Sequence, residues 1–164
     1  MARAPGATLT SAWARLSPLP GGTWLFSRLL AFVNPYSGAV GARVVSLGPG
    51  HAVLRLKDRR GVRNHLDSIH AIALANVAEM ASGLAMLAAL PAGARGIVTA
   101  IRIEYLKKAR GTLVAESRIV LPDVTADGTH DFTSEVRDQA GVVVARATVT
   151  WKLGPDKQIV DGRR

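Results

Sequence analysis

Residues 70–90 read HAIALANVAEMASGLAMLAAL, a run in which Glu79 is the only Asp, Glu, Lys or Arg. Alanine, leucine and methionine favour helix, and Pro91-Ala92-Gly93 supplies the stop. Apolar side chains fall on almost every side of such a helix, so a single flat sheet could not cover it. A carboxylate kept in this setting is costly to bury unless it is partnered, which marks Glu79 as a candidate catalytic base.

On either side of the run the periodicity is that of strands. Ahead of it, 42–47 and 51–57 are joined by Gly48-Pro49-Gly50 and read as a hairpin. Behind it, 97–106, 112–120, 132–137 and 142–151 alternate or are rich in β-branched residues. The expected fold is therefore α+β, a curved antiparallel sheet wrapped around one long central helix. N-terminal helices are expected over 11–16 and, capped by Thr23, from there to Val33, where Asn34-Pro35 stops the second. Residues 1–20 read as an N-terminal extension, 21–155 as the folded domain and 156–164 as a basic tail.

Composition narrows the chemistry. The chain has 164 residues, no cysteine and a net charge of +9. It suits one domain, and neither disulfides nor thiolate chemistry are available to it. Residues 24–33 form a short apolar stretch broken by Arg28, too short for a membrane span. No signal-peptide pattern stands out, although the segment before Asp58 is purely basic and invites comparison with a transit segment, and a basic amphipathic helix around Trp13 to Val33 resting on anionic lipid is the minority alternative. The expected location is the cytoplasm; membrane contact is not expected but is left open. Basic residues gather at Lys57, Arg59, Arg60 and Arg63, at Lys107, Lys108 and Arg110, and at the C-terminus. Such clusters favour a polyanion or a phosphorylated ligand, and aromatics interleaved for nucleic-acid binding are missing.

Spacing carries more. If the helix begins after His70, Glu79 lies nine residues on, about 13 Å along the axis and on the opposite face. The two would cooperate only across a two-fold axis, which predicts a homodimer. The helix start offers unpaired N–H groups at Ala71 and Ile72 to a developing oxyanion, with Asn64 and His70 placed to orient it. Glu79 paired with Asn76 or with a partner arginine is the structural alternative. His65, Asp67 and His70 could be written as a metal triad, but a fourth ligand is missing and no metal is expected. His51 and His130 read as solvated turn residues.

The pattern Asn64-x5-His70-x8-Glu79, followed by a strand ending in Tyr105, resembles the hotdog-fold acyl-CoA thioesterases, in particular the phenylacetate type. From Leu19-Pro20-Gly21-Gly22 through Asn34-Pro35-Tyr36 to 104–110 (EYLKKAR), the chain is also similar to a bacterial branch of that superfamily labelled as a domain of unknown function. The resemblance covers most of the chain after residue 19. It implies that Asn64, His70 and the Ala71 N–H polarise a thioester carbonyl while Glu79 of the other subunit acts as base or nucleophile. The family's His-Gly-Gly turn is His70-Ala71-Ile72 here, and Val98, next to Thr99, stands where some relatives carry a serine.

The resemblance further implies an acyl-CoA or acyl-carrier-protein substrate, coenzyme A only as part of that substrate, and homodimers that can pair into tetramers in fatty acid metabolism. Substrate contacts are expected from Arg59, Arg60, Arg63, Val98, Thr99, Tyr105, Lys107, Lys108 and Arg110. The basic ones would meet phosphate, or else protect an exposed strand end. A non-catalytic acyl-CoA binder and, further off, a nucleic-acid or anionic-membrane binder are the alternatives.

Overall fold

A computed structural model of the protein describes residues 5–156. Nearly all of the expected basic tail lies outside the described residues. Three N-terminal helices, α1 (Pro5–Leu16), α2 (Gly22–Val33) and α3 (Pro35–Val40), precede the hairpin β1 (Arg43–Gly48) and β2 (His51–Leu56). The central helix α4 (Ala71–Ala89) follows, then β3 (Ala94–Tyr105), β4 (Leu113–Arg118), β5 (Gly128–Arg137) and β6 (Val143–Pro155). The six strands form one antiparallel sheet in the order β1-β2-β4-β5-β6-β3. β3 is therefore an edge, twelve residues long.

The sheet curls around α4, which touches every strand. This is the hotdog arrangement. Small residues make it possible: Ala78, Ala81, Ser82 and Ala85 are fully buried, and a Cβ at Gly83 would stand 3.2 Å from the ring of Trp151. Against them pack Leu54, Leu56, Leu113, Val136, Val149 and Leu153. By length and apolarity α4 could cross a membrane, but here it is the core of the sheet.

Several local expectations are corrected. α1 begins at Pro5 rather than Ser11, and its Leu9, Ala12, Trp13 and Leu16 pack on the core at helical spacing. Its Gly6 lies against α4 so closely that a Cβ would fall 2.2 Å from the Leu87 carbonyl oxygen. Thr23 does not cap α2. Gly21, at φ 74°, makes the turn, and the Thr23 hydroxyl accepts instead from Arg43 Nε at 3.1 Å. The chain also forms α3 directly after Asn34, with Pro35 in its first turn, so Asn34-Pro35 joins two helices rather than leading straight to the hairpin. His51 and His130 lie in β2 and β5, not in turns, and His51 Nε2 is 2.8 Å from Glu116 Oε1.

Candidate active site

The start of α4 is fixed by His70. Its Nδ1 accepts the Ile72 N–H at 3.1 Å, so a neutral ring carries its proton on Nε2. One of the two N–H groups expected to be free is thus taken, and the other, Ala71 N–H, has no acceptor among the described residues. At the other side of the same turn the Tyr105 hydroxyl donates to the Ala71 carbonyl at 3.1 Å. Tyr105 is thereby a strut between β3 and α4, and burial raises the pKa of its phenol.

Asn64 shapes the loop before the helix. Its Oδ1 accepts from Leu66 N–H at 2.9 Å and from Ser68 N–H and Oγ at 3.3 and 3.1 Å, closing a turn in which Asp67 takes φ 50°. His70 N–H donates to the Val62 carbonyl and Ile69 N–H to the Ala109 carbonyl, so the loop is strapped from both ends. Only the amide nitrogen of Asn64 remains for a ligand.

Glu79 is half-buried and its carboxyl, among the described residues, makes no hydrogen bond or ion pair. Burial raises its pKa. It borders a cavity of about 280 Å³ whose other walls include Tyr36, Ala75, Asn76, Val98 and Ile101. His70 borders a neighbouring cavity of about 330 Å³ with Arg63 and Val40, and Tyr36, Ile72 and Asn76 are common to both. The pairing of Glu79 with Asn76 is not formed: Asn76 Oδ1 is buried with no hydrogen-bond partner. From below, Trp151 Nε1 donates to Ser82 Oγ at 3.3 Å, and Ser82 Oγ to the Glu79 carbonyl at 3.0 Å, which fixes that turn of the helix.

Val98 and Ile101 reach the same cavity because of a β-bulge. Val98 opposes Trp151 and Ala100 opposes Thr150, so Thr99 is the extra residue. Its hydroxyl donates to the Thr150 carbonyl at 3.2 Å and is committed to the sheet. Of the two expected contacts at this point, Val98 is in the cavity wall and Thr99 is not.

The two basic clusters are brought together. Asp58 Oδ1 accepts from Arg63 Nε at 2.6 Å while its Oδ2 accepts from Gly111 N–H at 2.9 Å. Arg63, opposed in part by burial, holds the Asp58 carboxyl below its usual range. Arg59 is spent elsewhere, on the Ala39 and Val40 carbonyls at the end of α3. Lys107 pairs with Asp138, and Arg110 Nε donates to the Asp67 carbonyl. Arg60 and Lys108 are exposed and carry no such tie among the described residues. No group of three His, Cys, Asp or Glu able to hold a metal occurs among the described residues.

Residues 22–153 match the family described as Domain of unknown function (DUF4442). The chain belongs to this family. The DUF4442 protein is similar in structure to the protein designated APC5556, with 30% identity and a TM-score of 0.80 over 90% of this chain and 99% of that one. PA5026 from Pseudomonas aeruginosa, described as a protein of unknown function and probable thioesterase, aligns at 23% identity and TM-score 0.71 over 84% and 97% of the two chains. The smu.793 protein from Streptococcus mutans UA159, solved bound to acetyl CoA, aligns at 24% and 0.60 over 70% and 89%. No curated protein matches. These likenesses show that the DUF4442 chain shares its fold, the hotdog arrangement, with these proteins.

Sequence reasoning named Asn76 only as a partner for Glu79, not as a wall of both cavities, and did not find Ile101 or the part played by Asp58. Asn76 had a signal, being besides Glu79 and Ser82 a polar side chain in an apolar helix. The other two depend on a bulge and on a loop contact that no spacing reveals.

Proposed function

We propose that the protein hydrolyses an acyl thioester of coenzyme A or an acyl-carrier protein at a site completed by a second subunit. The observation that carries this reading is Glu79, an unpartnered carboxyl in the wall of a largely apolar cavity on a rigid helix. Its raised pKa moves a carboxylate toward the range in which a general base works best. Ala71 N–H at the head of the partner helix would receive the thioester oxygen, His70 Nε2–H would orient it, and Glu79 would take the proton of the attacking water. Arg60, Lys108 and the unused donors of Arg63 and Arg110 would meet the phosphates. The ligands of smu.793 and the description of PA5026 support the same class of substrate.

The test is release of free thiol from a panel of acyl-CoAs of different chain length, read with a thiol reagent. The protein has no cysteine, so it contributes no background. Turnover that vanishes in Glu79→Gln supports the reading, and full activity in Glu79→Ala overturns it.

A second reading, an acyl-CoA binder without turnover, is favoured by one observation. Ile72 stands where the thioesterases have glycine, is 57% exposed, and walls both cavities. Acyl-CoA would then raise the melting temperature and be recovered intact.

A further inference from the structure

α2 turns the Ser27 hydroxyl inward, while apart from Arg28 its exposed side is largely hydrocarbon. The Ser27 hydroxyl donates to the Thr23 carbonyl at 2.7 Å and accepts the Val44 N–H at 3.0 Å, so it faces β1. Phe26 turns inward as well, edge-on to Trp13 with ring centres 5.0 Å apart. The helix thus already has a face that holds it to the domain. On the other side, Leu25, Leu29, Phe32 and Val33 are 42, 51, 85 and 80% exposed, at the spacing of a single helical stripe. Tyr36, in the first turn of α3 just after the stripe in sequence, is 72% exposed.

A second feature adjoins this stripe. Trp24 forms one wall of a cavity of about 730 Å³ on the outside of the sheet, where Arg43, Arg55 and Lys57 form others and, among the described residues, no carboxylate contributes. Arg43 and Arg55 are direct partners across β1 and β2. Like charges directly opposite each other destabilise a sheet, so this pair calls for an anion from outside. Arg28 lies over the Trp24 ring at 5.9 Å, adding a cation at the junction of stripe and trough. Six Lys and Arg precede Asp58, and no acid does.

We propose that α2 and this basic trough form a docking surface for a bilayer containing anionic phospholipid. The helix lies in the plane of the interface with Leu25, Leu29, Phe32 and Val33 among the acyl chains, Trp24 sits at headgroup level, and Arg43, Arg55 and Lys57 receive lipid phosphate. A soluble polyanion would use the trough and leave the stripe uncovered. A second copy packed stripe to stripe across a two-fold axis would bring two basic troughs toward each other. Only an anionic lipid surface answers both features at once. Because Tyr36, three residues after Val33 in sequence, borders both cavities of the candidate site, docking sets that site close to the membrane. The proposal stands whether or not the protein hydrolyses thioesters.

The experiment is flotation of the full chain with phosphatidylcholine vesicles, with and without phosphatidylglycerol, at low and high salt. Binding is expected only with phosphatidylglycerol, and added salt should weaken it. Tryptophan emission should shift to the blue on binding, with most of that shift lost in Trp24→Phe. The double variant Leu29→Ser, Phe32→Ser should partition at least about tenfold less, since two exposed apolar anchors are removed. Its unchanged melting temperature would show that the fold is intact. Binding indifferent to phosphatidylglycerol, or undiminished in the double variant, overturns the proposal. A smaller oligomer in the double variant without vesicles also overturns it, and assigns the stripe to a second copy of the chain.

Discussion

The Tyr105 hydroxyl and the Ala71 carbonyl are hydrogen-bonded at 3.1 Å, so the end of the edge strand β3 is fastened to the first turn of α4. That turn carries the N–H proposed to receive the thioester oxygen. The residue expected to touch substrate therefore also holds the oxyanion donor in place.

Tyr105→Phe should remove the strut and little else. Stability should fall by about 1 kcal/mol, the usual net worth of one hydrogen bond. If Ala71 is the oxyanion donor, kcat should fall severalfold with KM nearly unchanged, because a donor held less well is missed chiefly in the transition state. Steady-state kinetics on the wild type and the variant checks this, and a rise in KM alone would assign Tyr105 to ground-state binding.

Glu79 ties activity and stability to pH in opposite senses. Burial raises its pKa in the folded state, so folding favours the protonated form. Its contribution to stability is then complete below the unfolded value, about 4.3 for glutamate, and is lost as pH rises through the folded one. Thiol release should rise over the same interval as the base ionises. Melting curves of the wild type and Glu79→Gln should coincide more closely at low pH and separate above it, with the variant the more stable.

Asp58 titrates the other way. Arg63 and the Gly111 N–H lower its pKa against the opposing effect of burial, so its contribution is present above the unfolded value and is lost as pH falls. Asp58→Asn should lower the melting temperature at neutral pH and much less in acid. Since the same carboxylate joins the two basic loops, KM for a coenzyme A ester should rise more than kcat falls.

Ser82→Ala tests the polar chain beneath the site. Trp151 Nε1 would lose its acceptor inside the core, which costs about 1–3 kcal/mol. For a chain of this length each kcal/mol moves the melting temperature by about 2–4 °C. Calorimetry reads the loss, and a neutral result would mean that the indole finds another acceptor.

The dimer proposal turns on β3, whose outer edge is unpaired among the described residues. Ile101→Lys places a charge in the cavity wall near that edge and should yield monomers in light scattering along with loss of thiol release. Retention of the dimer would place the two-fold contact elsewhere.

Much of this architecture is legible in residue order. The run from His70 to Leu90, with no side free of hydrocarbon, requires a sheet that curls, and α4 begins and ends within a residue of where His70 and Pro91 suggest. The alternation in β5 and β6 likewise leads to the pairing of Phe132 with Val149 on the core face. What escaped notice is local or depends on contacts distant in sequence. α3 is six residues long with Gly38 inside it, too short to show a period. Arg59 reads as a free cation, yet its guanidinium caps α3 some twenty residues back. At the candidate site, Glu79 stands out because it breaks an apolar pattern, whereas the role of Asn64 in closing its own loop follows from a turn geometry that its identity allows but does not demand.

The surplus residue at Thr99 decides which neighbours share a side of β3. Before it, odd positions face away from the helix and even ones toward it; after it, the parity is reversed. One boundary of the acid's chamber is thus specified by a tally of backbone units rather than by side-chain chemistry. Substitution there resizes the chamber, while loss of a single amino acid would turn Ile101 outward and open that boundary to solvent.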